Sequence, residues 1–163
     1  MENYSHFIFA RALHIAAIVF WIGGVAFVTT VLIPALKNIP EANDRLELFE
    51  KLEGKFGFQA KITTLITGLS GYYLLNYLDA WDRLLHLHFW WMHLMIFVWL
   101  VFTLVLFVLE PLFLHQWFRK QALKDSDSAF AWLHRMHVVL LSLSILAVLG
   151  AVAGSHGFSF QLM

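Results

Sequence analysis

The chain has 163 residues, 60% hydrophobic and 17% aromatic against only 13% charged, which is more apolar surface than a water-soluble domain of this size needs. Its formal net charge is zero, which removes any charge-based case for a nucleic-acid or polyanion partner. Cysteine is absent, so disulfides, thiolate metal sites and cysteine nucleophiles are excluded, and metal chemistry falls to the nine histidines, methionine or carboxylates.

Four apolar runs, at about residues 7–33, 58–78, 89–109 and 131–155, each reach the roughly 20 residues that cross a bilayer. They predict an all-α protein, an integral membrane four-helix up-down bundle, with residues 1–163 forming one transmembrane domain. Residues 1–5 have no positive n-region, so the first run is expected as a retained helix. Pro34 is expected to stop that helix, and Glu110-Pro111 to end or kink the third, because proline lacks the amide donor. Between the first two runs, Leu46, Phe49, Leu52 and Phe56 recur at helical spacing among alternating acids and bases. This pattern predicts an amphipathic helix over residues 39–55, lying on the inner membrane surface.

Lysine and arginine set the orientation. Lys37, Arg45, Lys51, Lys55 and Lys61 fall in or beside the first connection, and Arg119, Lys120 and Lys124 in the third, with Arg135 just beyond. By the positive-inside rule these two connections are cytoplasmic. The expected location is a bacterial-type inner (cytoplasmic) membrane, multi-pass, with both termini periplasmic. Trp81, Trp90 and Trp91 at one level and Trp117 and Trp132 at the other fit two aromatic belts.

Ionisable residues inside apolar runs carry the functional reading, because an uncompensated charge there costs several kcal/mol (about 2.5–3.5 on the insertion scale). His14 lies seven residues in from the start of the first run and His93 seven residues after His86, so each is roughly 10 Å deep at 1.5 Å per residue. The first and third helices of such a bundle are diagonal neighbours, and two imidazoles at one depth can supply both axial positions of a haem iron. Gly23, Gly24, Gly68, Gly71, Gly150 and Gly154 offer small surfaces beside a porphyrin, although close helix packing is the simpler account of Gly150 and Gly154. Arg11, one turn outward from His14, either pairs with a haem propionate or snorkels to the headgroups. His6, His86 and His88 belong to the outer edge, with His86 or His88 as substitute ligands if the third helix is shifted by a turn, and His156 closes the fourth helix on that side. His134 and His137 belong to the inner side. No second histidine stands at the level of His137, so a core hydrogen bond or proton relay is expected there rather than a second haem.

The residues Ala12-Leu13-His14 with Trp21-Ile-Gly-Gly24, Trp91-Met-His93, and Leu133-His-Arg-Met-His137 with the glycines from Gly150 to Gly157 resemble small four-helix membrane proteins related to the CopD copper-resistance domain and to HemJ-type protoporphyrinogen oxidases. The resemblance covers nearly the whole chain and implies a membrane haem or copper protein, with His14 and His93 matching the family histidines of helices one and three. HemJ-type enzymes have a lysine where this chain has Met95, and CopD proteins are longer and carry extra helices, while this chain lacks a methionine-rich outer segment.

The expected function is therefore that of a b-type cytochrome, an electron-transfer oxidoreductase with haem b held between helices one and three by His14 and His93, with Arg11 at a propionate. Copper, in a CopD-like transport or resistance role, and HemJ-like protoporphyrinogen oxidation are the alternatives. The expected partners are membrane lipid, a quinone or another redox partner, and a second copy of the chain packed through Gly150 and Gly154. The orientation is tested by reporter fusions: one after Lys51 is expected to report the cytoplasm and one at Met163 the opposite side, and a cytoplasmic Met163 overturns the depth assignment of His14 and His93.

Overall fold

The computed structural model describes residues 2–155, and every regular element among them is helical. Helix α1 (Glu2–Phe27) continues without a break through a π-helical stretch, Val28–Leu32, into α2 (Ile33–Leu36). Pro34 thus lies inside a continuing helical run rather than at its end, a correction to the expected stop. The wider π turn just before it loosens the α-type hydrogen-bond ladder that a proline cannot join.

Helix α3 (Ala42–Tyr77) is a single rod that unites the expected surface helix with the expected second span. The segment near residues 42–56 is the first part of that rod. Leu46 and Phe49 are buried against Phe118 and Phe130, so the apolar stripe read from the sequence faces other helices. α3 closes with two backbone bonds, Ala80 N–H to Leu75 O at 3.0 Å and Asp79 N–H to Asn76 O at 3.2 Å. Asp79 takes φ 46° to allow them, the arrangement of a Schellman cap with aspartate in the place usually held by glycine.

After two short 3₁₀ turns, Asp82–Leu85 and Leu87–Phe89, α4 (Trp90–Leu104) leads through a π-helical Val105–Leu114 into α5 (His115–Lys124). Glu110-Pro111 therefore neither ends the helix nor starts a loop. In α geometry the proline ring would collide with the carbonyl four residues back, and the π stretch supplies the extra room. Helix α6 (Ser126–Ser155) follows a tight turn, where the Asp125 carboxylate accepts the Ser128 N–H at 3.1 Å as an N-cap.

Three helical runs among the described residues, Asn3–Leu36, Leu87–Lys124 and Ser126–Ser155, are long and apolar enough to cross a membrane. The expected second span, residues 58–78, sits in α3, which is not among them. It carries Thr63, Thr64, Thr67 and Ser70, all buried against other helices. Thr63, Thr67 and Ser70 return their hydroxyl hydrogens to α3 carbonyls one turn back, which lets a polar stripe be buried at small cost.

Two apolar clusters hold the rods together. Trp21, Val25, Ala60, Val98, Phe102 and Leu141 form one, with the Trp21 and Phe102 rings edge to face at 5.0 Å. The other gathers Leu32, Ile33, Leu36, Leu46, Phe49, Phe118 and Phe130 at the basic end, where Phe49, Phe118 and Phe130 meet pairwise at 5.4 Å. Arg45, only 5% exposed, closes this end. It donates to Ile39 O, Ser126 Oγ and Asp127 Oδ1, the last at 2.6 Å, and its guanidinium lies over the Phe130 ring.

Rings set into glycine notches fix the helix pairs. Phe56 of α3 covers Gly24 of α1, Trp99 of α4 covers Gly68 of α3, and Trp90 and Trp91 of α4 cover Gly150 and Gly154 of α6. Trp91 is consequently buried between helices, whereas the Trp117 and Trp132 rings meet edge to face at 5.1 Å at the basic end. A Cβ on Gly68 would fall 2.5 Å from the Trp99 ring, while one on Gly23 would meet nothing within 4 Å. Gly68→Ala is thus expected to destabilise by about 1–3 kcal/mol through overpacking, and Gly23→Ala to be neutral or to stabilise by up to about 1 kcal/mol through helix propensity. Thermal unfolding in detergent measures the contrast, and equal effects of the two changes would show that the ring does not occupy the notch.

Candidate functional site

His14 sits on the inward stripe of α1 with Ala17, Trp21, Val25 and Val28. Its Nδ1 lies 2.9 Å from Ser70 Oγ and 3.1 Å from Thr67 O, and its ring rests against Gly71. A backbone carbonyl can only accept, and the Ser70 hydroxyl already donates to Ile66 O, so Nδ1 carries the hydrogen and donates to both oxygens. The Nε2 lone pair is thereby left free. This is how metal-ligating imidazoles are commonly fixed, with the remote N–H held by a carbonyl or hydroxyl that sets tautomer and ring angle.

His93 is placed differently. Phe97, Leu100 and Leu104 are each more than half exposed, and at about 100° per residue His93 continues their stripe at the outer end of α4. Its Nδ1 meets Phe89 O at 3.1 Å and its Nε2 meets Leu84 O at 2.9 Å, from the turn folded back over it. A neutral imidazole donates to only one of these carbonyls, and both nitrogens lie at backbone oxygens of the preceding turn.

The residue of α4 in register with His14 is Met95. α1 and α4 run in the same direction, and the Trp21–Phe102 contact ties their heights. His14 lies seven residues outward of Trp21 (21 − 14) and Met95 seven outward of Phe102 (102 − 95). Seven residues fall within about 20° of two full helical turns, so both residues stand at one height on the faces that bring the two rings together. Trp21 Nε1 is buried without a hydrogen-bond partner on that same stripe.

Arg11 is exposed, one turn outward of His14, and takes no part in the ion pairs found. His86 and His88 are exposed at the turn before α4, His88 against Phe89 and Trp91. His137 donates from Nδ1 to Leu133 O at 3.0 Å, one turn back on α6, in keeping with a core hydrogen bond. His156 lies outside the described residues. Gly24 and Gly68, expected beside a porphyrin, each hold a protein ring, and Gly150 and Gly154 hold Trp90 and Trp91 in the close helix packing expected of them. No three His, Cys, Asp or Glu among the described residues converge as a metal site.

A second polar assembly was not legible as one. Lys61 Nζ of α3 lies 2.7 Å from Glu110 Oε2 of the π-helical stretch, and Glu50 Oε1 lies 3.8 Å from His115 Nε2 and 3.9 Å from Arg119 Nε. Glu53 stands among Glu50, Lys61, Glu110 and His115. Read along the chain, Lys61 and Glu110 mark the edges of separate apolar runs. The available signal was that they carry opposite charges at matching depth on antiparallel neighbours.

Compared with protein-family models, with curated proteins and with solved structures, the chain matches none.

Proposed function

We propose that the chain is a multi-pass membrane protein, an up-down four-helix bundle, that holds a redox metal group beside His14 in the half of the molecule remote from its basic end. Haem b is the first reading. The observation that carries it is the anchoring of the His14 ring: Nδ1 lies within hydrogen-bond reach of Thr67 O and Ser70 Oγ, which leaves Nε2 as the nitrogen for a metal. The residues fit such a group on one side only as the sequence reading had them. His14 would suit a metal ligand, whereas His93 has both nitrogens at backbone carbonyls of its own turn and would have to leave them to ligate. Met95 would offer a thioether at the height of the imidazole, and Arg11 would be the cation on the same helix for an acidic group of the cofactor. A bound haem supplies one-electron transfer, and the His/Met pair sets its potential higher than a bis-imidazole pair does.

Copper is the second reading, and Met95 favours it specifically, since one imidazole and one thioether suit Cu(I) without any anionic ligand. The gathering of Arg45, Lys51, Lys55, Arg119, Lys120 and Lys124 at one end supports an orientation with that end in the cytoplasm and the His14 half toward the outside. A lipid-soluble quinone or a small outer-side redox partner fits that placement.

Detergent-purified protein is expected to show a Soret band and b-type reduced-minus-oxidised peaks. His14→Ala should abolish them and His93→Leu should leave them intact. Met95→Leu should keep haem while lowering its midpoint potential or opening an axial position. Stoichiometric copper without haem, lost in His14→Ala and in Met95→Leu, selects the second reading. Protein that binds neither overturns both, and loss of haem in His93→Leu with retention in Met95→Leu returns the ligand to His93.

A further inference from the structure

Between the two apolar clusters, on the inward extension of α3 and the facing helix, six ionisable side chains converge. α3 contributes Glu50, Glu53 and Lys61, the π-helical stretch Glu110, and α5 His115 and Arg119. α1, the other helix packed along α3, has no ionisable residue between His14 and Lys37. Glu50 and Glu110 are each about one-quarter exposed, at 24% and 26%. Glu50 Oε1 and Glu110 Oε2 are buried atoms without an aligned hydrogen-bond donor, so Lys61 approaches Glu110 as an ion pair out of hydrogen-bond alignment.

Charge balance gives this group its meaning. Three carboxylates carry three negative charges, and Lys61 and Arg119 return two positive ones. With His115 neutral, one negative charge is left over at a partly desolvated place, where excess charge costs most. A single added proton, on His115 or on a carboxyl, makes the group neutral. We infer that Glu50, Glu53, Lys61, Glu110, His115 and Arg119 form a one-proton binding site at the cytoplasm-facing end of the bundle, with Glu53 as the group that takes up and releases the proton. Glu53 lies outside the apolar length 58–78. Burial first, then the neighbouring Glu110, hold its carboxyl above the ordinary glutamate range, with Glu50 adding in the same direction, while His115 and Lys61 pull it down. The π-helical stretch that carries Glu110 is the local irregularity that recurs at functional sites in helices. No redox step is involved, and the site stands independently of any metal beside His14.

pH-difference infrared spectroscopy on the whole protein in detergent or lipid tests this through the carboxylic-acid C=O stretch. Wild type is expected to show a protonated carboxyl that titrates above the ordinary glutamate range, and Glu53→Gln to lose it, while Glu47→Gln, at an exposed position on the same helix, leaves it. The neighbours give signed shifts: Glu110→Gln moves the titration to lower pH, and Lys61→Met or His115→Phe moves it to higher pH. Stability supplies a second readout. A carboxyl held above its unfolded value contributes stability that is present at acid pH and lost as pH rises through the folded value, so Glu53→Gln should gain thermal stability over wild type as pH increases. If a variant fails to fold, the wild-type spectrum alone decides. Absence of any carboxyl titrating above the ordinary range, or a titration that none of the three neighbour changes moves, overturns the proposal and leaves a salt-bridge cluster that only joins two helices.

Discussion

The architecture depends on aromatic rings lying in glycine notches between successive long helices. Each pair along the chain has at least one: Phe56 at Gly24, Trp99 at Gly68, and Trp90 and Trp91 at Gly150 and Gly154. Where lipid-like surface surrounds the helices there is little hydrophobic gain in helix–helix contact, so close packing of small against large groups has to supply the association. A ring in a notch also fixes height, because it fits at one residue only. The two polar assemblies inherit their registers from these contacts.

On the side remote from the basic end, the register sets His14 against Thr67, Ser70 and Gly71, where a side chain larger than glycine would crowd the imidazole: a Cβ on Gly71 would fall 3.1 Å from His14 Cε1. Toward the basic end, the same two antiparallel rods bring Lys61 to Glu110 and Glu50 to α5. The two sites differ in kind. One is a single imidazole whose Nδ1 is held by two oxygens of α3. The other is a near-balanced group of charges whose total changes by one with a proton. The Trp21–Phe102 cluster separates them, with α3 running past both.

The basic end behaves more like the core of a water-soluble protein. Phe49, Phe118 and Phe130 form a closed aromatic trio, and Arg45 satisfies its guanidinium with a backbone carbonyl, a serine and an aspartate, so a buried charge is fully compensated. That core explains why α3 and the Leu87–Lys124 run extend well past the length a bilayer requires: at about 1.5 Å per residue, each is over 50 Å long.

Helicity, the four apolar runs and the basic character of one end were determined by the sequence alone, because they follow from composition and run length, which need no partner. The place of His14 along its helix was legible for the same reason, as a count of residues. Which way each side chain faces was decided only by the tertiary structure. On α4 the exposed Phe97, Leu100 and Leu104 and the buried Val98 and Phe102 are chemically alike, so no amphipathic pattern marks the inner face, and which of its apolar residues are buried could not be read. Residues 39–55 misled in the opposite way, since an apolar stripe looks the same whether it lies on lipid or on Phe118 and Phe130. The pairing of Lys61 with Glu110 joins positions far apart in the chain, and a charge at the edge of an apolar run gains its partner only when packing sets the register of two helices.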